Sequence, residues 1–298
     1  MSDTAASLRR KIAGAGDLQS VVRTMKALAA ANIGQYEQSA RALAGYYRCI
    51  ELGLGVCFRH GNPAVWSENG KAQADADVST AVCAIVFGTD QGLVGRFNEV
   101  VAEHAIKTLA ALPGEHQVWA IGQRVHARLA DAGLAPCGLF NLPNSVRAIT
   151  PLVGRILLET ETFLAQGDSA ELRLFYNRPD SAAAYAPIGQ RLLPLDNTWR
   201  LKLMAQAWPT KNLPELIGNS TATLRAILRE YLFVSIFRAC AESLASENAS
   251  RLAAMQRADK NIDELLTDLN VAFHRLRQSS IDEELFDVIS GFEALSGV

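Results

Sequence analysis

Apolar and small residues recur every three or four positions at both ends of the chain. The first stripe runs from Leu8 to Leu54, and the second runs from Leu224 to Leu276. This spacing predicts one long helix at each end, because residues three and four apart share a helix face. The mean step is about 3.5 residues, which predicts a left-handed coiled coil. An antiparallel pair is expected, because both helices connect to one central region. The second stripe is rich in alanine and includes Asn248, so we expect close helix approach with modest stability.

The second stripe lies in a segment without helix-breaking residues. Between Gly218 and Gly291 there are 72 consecutive residues with neither glycine nor proline, and the ten prolines all lie from Pro63 to Pro214. As one helix, this segment has a length on the order of 110 Å at about 1.5 Å per residue. Such a helix is longer than a compact domain is wide, so we expect it to project and to contact partners.

The middle of the chain alternates short apolar runs with segments of helical spacing. Ala81–Phe87 is a continuous apolar run, typical of a buried strand. The alternation predicts a mostly parallel sheet with right-handed crossovers. The expected fold class is therefore α/β, with a long antiparallel coiled coil of the terminal helices and a central Rossmann-like α/β domain. The other predicted elements are helices at Asn98–Leu112, Gly122–Ala132 and Ser145–Ala165, and strands at Gln117–Ile121, Glu171–Tyr176 and Tyr185–Leu195.

These elements predict four parts along the chain. We expect an N-terminal helix over residues 1–60 and a linker over 61–77, where the sequence is polar and contains glycine, asparagine and proline. The α/β domain is expected over residues 78–209, and the C-terminal helix over 210–298.

Gly88–Asn98 is a glycine-rich segment between a predicted strand and a predicted helix. One interpretation is a phosphate-binding loop, since the N–H groups at a helix N-terminus attract anions. The other is a tight turn in which glycine allows close packing. The segment matches neither G-x-x-x-x-G-K-[ST] nor G-x-G-x-x-G, and Arg96 is its one basic residue. These features favour the tight turn.

The composition excludes several classes of protein. The apolar fraction is 49%, the charged fraction is 20% and the net charge is −2, which is typical of a globular protein rather than a disordered or nucleic-acid-coating chain. The five cysteines are scattered without a C-x-x-C pair, and the histidines do not cluster, so we expect no metal site and reduced thiols in a cytoplasmic setting. No signal peptide and no membrane-spanning run are expected.

No catalytic constellation is evident in the sequence. Neither G-x-S-x-G nor H-E-x-x-H occurs. We therefore expect a non-catalytic protein without a cofactor. The alternative interpretation is a stand-alone α/β nucleotide-using enzyme with a coiled-coil arm.

The N-terminal segment is basic. Up to Tyr36 it carries Asp3, Asp17 and five basic residues, which are Arg9, Arg10, Lys11, Arg23 and Lys26. This charge could face an acidic partner, or it could belong to a solvated helix face.

The last twenty residues are apolar for the end of a solvated helix. The partner helix, at about 45–50 residues, is too short to cover them all. Exposed apolar surface of this kind indicates a protein–protein contact, although these residues could also pack on the start of the N-terminal helix. The apolar tip consists of Ile281, Leu285, Phe286, Val288, Ile289, Phe292 and Leu295.

Three parts of the chain resemble the gamma subunit of the F-type rotary ATP synthase. Arg10–Ala30 contains TMKALAA, which is similar to the family's K-x-M-x-x-V-A-A. Thr89–Asn98 is similar to S-T/S-D-R-G-L-C-G-G-L-N. Leu244–Ala258 and Phe273–Gly291 are similar to S-E-x-x-A-R-M-x-A-M and Y-N-x-x-R-Q-x-x-I-T-x-E-L-x-E-I-V-x-G-A. The matches keep the family's order over nearly the whole chain, so the chain is identified as a member of that family.

The resemblance implies a non-catalytic rotor subunit of the central stalk. The terminal helices would form a shaft inside the hexamer of alpha and beta subunits, and the α/β domain would be a foot on the c-ring beside the epsilon subunit. Rotation would couple ion flow through the c-ring to ATP synthesis or hydrolysis at the beta-subunit sites. The chain would be peripheral on the cytoplasmic side of the bacterial inner membrane, with membrane contact only through the c-ring and no nucleic acid partner.

The resemblance also implies roles for particular residues. Arg277 and Gln278 match family residues that contact the catch loop of the beta subunits. Met25, with Arg23 and Lys26, would face the acidic lever of the beta subunits. The apolar tip would lie in an apolar sleeve at the top of the hexamer, where directional hydrogen bonds would hinder rotation.

The chain departs from the family pattern at several positions. Gln91, Val94 and Arg96 replace arginine, cysteine and glycine, and Asp282 replaces threonine. Ala31–Gln35 lacks the Lys and Arg residues usual there. The missing charge suggests a divergent branch, and the hypothesis that this branch transports Na⁺ would be excluded by Na⁺-independent, ATP-driven acidification. A static adaptor is a further interpretation, but it would not need an apolar tip.

Overall fold

The computed structural model describes residues 4–60, 81–164, 170–180, 184–212 and 214–295. The linker predicted over residues 61–77 lies outside the described residues. The chain divides into two compact units. One unit, here called the paired-helix unit, comprises Met1–Ala30 and Arg251–Val298, and the other, the foot unit, comprises Ala31–Ser250.

Two long helices form the ends of the chain, as the apolar stripes predict. Helix α1 spans Ala5–His60 and helix α6 spans Ser220–Leu295, a length of 76 residues. Helix α6 begins after Asn219, whose side-chain oxygen accepts hydrogen bonds from the N–H groups of Thr221 at 2.9 Å and Ala222 at 3.3 Å. This N-cap satisfies donors that have no partner within the helix. The helix continues through Gly291, so the glycine that bounds the breaker-free run does not end it.

The helices between them alternate with five strands. The strands are β1 (Ala81–Phe87), β2 (His116–Ile121), β3 (Gly138–Phe140), β4 (Ala170–Pro179) and β5 (Tyr185–Leu193). The intervening helices are α2 (Phe97–Ala110), α3 (Gln123–Asp131), α4 (Val146–Leu164) and α5 (Asn197–Ala205).

The sheet has the order β3-β2-β1-β4-β5. The pairs β1–β2, β1–β4 and β2–β3 are parallel, and β4–β5 is antiparallel. A 3-2-1-4-5 order is that of the Rossmann fold, so the prediction of a Rossmann-like, mostly parallel sheet is confirmed.

Strand β1 shows why the centre of the chain is so apolar. Its alternate residues Cys83, Ile85 and Phe87 belong to one buried cluster, which also takes in α4 and the foot-unit parts of α1 and α6. Val82, Ala84 and Val86 belong to a second cluster with α2 and α3. Both faces of the strand are buried, so the strand is a continuous apolar run rather than an alternating one.

Two elements were absent from the sequence prediction. Strand β3 has only three residues, too few for a periodic signal. Helix α5 begins after Asp196, whose carboxylate accepts the Thr198 N–H at 2.9 Å, and the strand predicted to Leu195 ends at Leu193. An Asp followed by helix-forming residues is an N-cap signal that was present in the sequence.

Candidate partner interface

Polar groups of the glycine-rich loop after β1 form hydrogen bonds with other residues of the chain. The Asp90 carboxylate accepts the N–H of Gln123 at 2.9 Å and the N–H of Leu142 at 2.9 Å. Thr89 donates its N–H to Asn98 Oδ1 at 2.9 Å, and Asn98 Nδ2 donates to Thr89 Oγ1 at 2.9 Å. The start of α3 therefore already holds a carboxylate, in the position where helix N-termini attract anions.

Two glycines near this loop allow close backbone packing. A Cβ on Gly88 would lie 2.3 Å from the Cβ of Val125. Gly122 has a φ of 109°, and a Cβ there would lie 2.8 Å from the backbone of Thr89. Both glycines fit the tight-turn interpretation, because a side chain at either position would displace a packed neighbour.

In the paired-helix unit, α1 and α6 run antiparallel around a small apolar seam. The guanidinium carbon of Arg9 lies 5.4 Å from the centroid of the Phe273 ring, while Arg23 contacts Asp259, so the two helices run in opposite directions. Met25, predicted as a beta-subunit contact, is half-buried and packs against the seam. One buried cluster of the seam contains Ala15, Val22, Met255 and Ile262.

An ion cluster flanks this seam and joins the two helices. Asp259 Oδ1 accepts from Arg23 Nε at 3.1 Å, and Asp259 Oδ2 accepts from Lys26 Nζ at 3.0 Å. Gln19 Nε2 donates to Asp259 Oδ1 at 3.4 Å and also to Asp263. A second nitrogen of Arg23 lies 3.6 Å from Asp263 Oδ1. The cluster comprises two cations and two carboxylates.

The cluster changes how the basic N-terminal charge is interpreted. Arg23 and Lys26 each have a carboxylate partner on α6, so part of the positive charge predicted for an acidic partner is balanced within the chain. Their side chains remain accessible, with 56% and 40% of their surface exposed, whereas Asp259 is only 13% exposed. The hydrogen bond from Lys26, with a further contribution from Arg23, lowers the pKa of Asp259 below its ordinary value. The carboxylate is therefore ionised at neutral pH.

Sequence reasoning missed the acidic side of this cluster. Gln19, Arg23 and Lys26 are spaced four and three apart, and Asp259 and Asp263 are spaced four apart. Both sets therefore lie along single helix faces next to the seam, where ion pairs between helices form. The spacing was visible, but which α6 residues face α1 depends on the register, which the sequence did not define.

The two remaining predicted contact residues and the tip lie further along α6. Arg277 and Gln278 are exposed. The register of Arg9 with Phe273 and of Arg23 with Asp259 puts Ala5, the first residue of α1, opposite Arg277. Residues from Ile281 onward therefore extend beyond the start of α1, as expected for the tip. Six tip residues have exposed fractions between 45% and 72%, and they are Ile281, Leu285, Phe286, Val288, Ile289 and Phe292.

The foot unit contains a polar contact in the same helix pair. Asn32 Nδ2 lies 3.5 Å from Asn248 Oδ1, and Asn248 Nδ2 donates to the Leu244 carbonyl at 2.8 Å. Asn248 is buried, as its place on the predicted stripe requires. Tyr47 and Tyr231 have ring centroids 6.1 Å apart, which continues the antiparallel pairing toward the other end of α1.

Two other kinds of site are absent from the part of the chain that the structure describes. Within residues 4–60, 81–164, 170–180, 184–212 and 214–295, no cluster of three histidine, cysteine or carboxylate side chains could hold a metal ion. Within the same ranges, no helix combines the length and the apolar character that crossing a membrane requires.

The fold and the interface define a class of protein in which a Rossmann-ordered domain carries an antiparallel pair of long terminal helices. A family model described as ATP synthase matches residues 4–295, so the chain belongs to that ATP synthase family. The ATP synthase gamma chain of Fuscovulum blasticum is 25% identical over 295 residues, covering 97% of this chain and 98% of the relative. The gamma chain of Hyphomonas neptunium is 28% identical, with 97% and 98% covered. The resemblance to the gamma subunit is thereby confirmed.

A solved structure supports the fold independently. The rotor of the Euglena gracilis mitochondrial ATP synthase, in rotational state 1, is similar with a TM-score of 0.61 and 15% identity. The similarity covers 93% of this chain and 98% of that chain. At this identity the likeness concerns the arrangement of the helices and strands.

Proposed function

We propose that this chain is the central-stalk rotor subunit of an F-type ATP synthase and does no chemistry of its own. The observation that carries the proposal is the exposed apolar tip of α6, which extends past the start of α1 in a chain whose family match spans residues 4–295. An apolar surface of this extent on a helix end is suited to a protein partner. The partners proposed are the alpha and beta subunits around the helices, and the epsilon subunit and c-ring at the foot.

Rotation would transmit energy through differential contacts. A rotating pair of helices presents a different surface to each beta subunit in turn. A contact that is stronger in one conformation of a beta subunit than in another shifts the population of those conformations. In this way the turning chain would set the three catalytic sites to different states without binding nucleotide itself.

The chemistry of the proposed contacts differs along α6. Arg277 and Gln278 are exposed hydrogen-bond donors that can engage the catch loop of a beta subunit. Arg23, Lys26 and the adjoining Met25 would meet the acidic lever of a beta subunit. The seven apolar residues of the tip carry no side-chain hydrogen-bonding groups, although exposed carboxylates lie between them at Asp282, Glu283, Glu284 and Asp287. A sleeve that contacts the apolar residues can slide over them without breaking directional bonds.

We place the complex on the cytoplasmic side of a bacterial inner membrane, with this chain peripheral to the membrane. The family match over residues 4–295 supports this location. Contact with the membrane would be made through the c-ring alone.

Co-expression with alpha and beta subunits tests the proposal. The full chain is expected to join the hexamer and to raise its ATPase activity, and a chain ending at Ser280, which lacks the tip, is expected to raise it less. Phe286→Ser is the matched substitution in the tip, and Ile217→Ser, at an exposed apolar residue of the foot unit, is its control. If the full chain neither joins the hexamer nor changes its ATPase activity, the rotor proposal is wrong.

A further inference from the structure

Asp259 is the residue on which the ion cluster of the paired-helix unit converges. Its two carboxylate oxygens bind two cations of α1, with Oδ1 bound to Arg23 and Oδ2 bound to Lys26. Gln19 adds a third donor from α1. One side chain of α6 therefore binds three side chains of α1 that are spaced over two helical turns.

This arrangement differs from an ordinary surface ion pair. Lys260 and Glu264 form such a pair on the adjacent part of α6, with both side chains well exposed and 3.7 Å apart. Asp259 is largely covered, and its partners come from the other helix. Its bonds therefore constrain the position of α1 relative to α6, which a pair within one helix cannot do.

The seam beside the cluster offers limited control of register. Its buried residues include the stiff, β-branched Val22 and Ile262, but also Ala15 and Met255, whose small or flexible side chains specify register weakly. Directional bonds from Asp259 can supply the missing specificity, as single polar residues do in coiled coils.

We propose that Asp259 is a positioning residue, which holds Arg23 and Lys26 in a fixed register and orientation for the contact with a beta subunit. The inference rests on the proposed function, because it assumes that these two cations meet that partner. Long basic side chains lose rotamer freedom when they bind. Asp259 orders them beforehand, so less freedom is lost when the partner binds.

The positioning role and a simple charge effect predict opposite outcomes. Asp259→Asn removes a negative charge, so the surface becomes more positive and a purely electrostatic attraction to an acidic partner would increase. If Asp259 acts by ordering Arg23 and Lys26, the same variant weakens the contact. The sign of the change therefore separates the two explanations.

The experiment measures ATP hydrolysis by the complex of alpha, beta and this chain. The variants are D259N, D259E, R23Q/K26Q and the triple variant R23Q/K26Q/D259N, with E264Q as the control that makes the same charge change on the same helix. We expect D259N to lower activity by about three- to tenfold, a range typical of coupled residues. D259E keeps the carboxylate and should remain near the unsubstituted chain, as should E264Q. The triple variant should match R23Q/K26Q, because the residues that Asp259 orders are already gone.

Each other outcome overturns the inference in a recognisable way. Activity that rises in D259N indicates a charge effect, and a fall of equal size in D259N and E264Q shows that the loss is not specific to Asp259. A further loss from D259N in the R23Q/K26Q background shows that Asp259 acts through other groups, and a loss in D259E equal to that in D259N shows that the carboxylate is not what matters. If R23Q/K26Q leaves activity unchanged, the proposed contact of Arg23 and Lys26 fails first, whatever D259N does.

Discussion

The same two helices are packed differently in the two units. In the foot unit, every α6 residue from Tyr231 to Asn248 is buried except Phe233 and Arg238. In the paired-helix unit, Met255 and Ile262 are the buried residues of the described part of α6. A single helix thus serves as core in one unit and as surface in the other. Stability is therefore expected to reside in the first stretch, and partner recognition in the second.

One polar contact of each unit shows the same difference, because the contact in the foot unit is at least partly buried and the one in the paired-helix unit keeps exposed surface. The foot unit encloses the Asn32–Asn248 contact, where both side chains are at least partly buried. The paired-helix unit has its ion cluster at the flank of the seam, where Arg23 and Lys26 keep exposed surface. Buried polar groups contribute specificity within a core, whereas half-exposed ions remain available to a partner.

The largest expected effect is a truncation in the buried stretch of α6. Ile236 is fully buried in the main core, so Ile236→Ala should lower the free energy of unfolding by about 2–5 kcal/mol. Val271→Ala, at an exposed position of the same helix, should change it by no more than about 0.5 kcal/mol. Denaturant unfolding followed by circular dichroism measures both. Equal losses for the two variants would contradict the division between core and surface.

A smaller effect is expected at the seam of the paired-helix unit. Met255→Ala should cost about 1–2 kcal/mol, below the usual range for a buried methionine, because the half-buried, flexible Met25 can shift into the space. Amide hydrogen exchange should quicken in the paired-helix stretches of α1 and α6 while the sheet of the foot unit stays protected. Faster exchange spread evenly over the sheet would show that the two units unfold together.

The smallest effect is a pH dependence carried by Asp259. Its pKa is lower in the folded chain than in the unfolded chain, so its ion pairs stabilise the fold above the unfolded value of about 3.9. That contribution should be lost as the pH falls through the lower, folded pKa. The comparison is the free energy of unfolding of the unsubstituted chain and of D259N from pH 7 to pH 2. The two curves should be separated by a small constant difference at neutral pH and should converge in acid, and a difference that grows in acid would have the wrong sign.

Long periodic segments made most of the fold predictable from the sequence. The stripe from Leu224 to Leu276 predicts α6 because tens of residues repeat one pattern, and Ala81–Phe87 predicts β1 because both of its faces are buried. Strand β3 was not predicted, because three residues are too few to show a hydrophobic period and because the strand forms by pairing with β2. Short segments of this kind owe their structure to their neighbours in space.

Of the candidate interface, only the exposed tip of α6 could be predicted from the sequence, because its exposure follows from the length of that helix. The tip could be inferred because α6, at 76 residues, is longer than α1, at 56 residues, so its last residues extend beyond the start of α1. The bonds of Arg23 and Lys26 to Asp259 could not be inferred, because they depend on the register of α1 against α6. A shift of one helical turn would give both cations different neighbours.

Direct observation of rotation tests the central claim most directly. The complex of alpha, beta and this chain would be immobilised through the beta subunits, with a probe attached to a cysteine introduced at the exposed Lys211 of the foot unit. We expect the probe to turn in one direction while ATP is hydrolysed and to stop when ATP is removed. Hydrolysis at the full rate with the probe stationary relative to the beta subunits would contradict the rotor function.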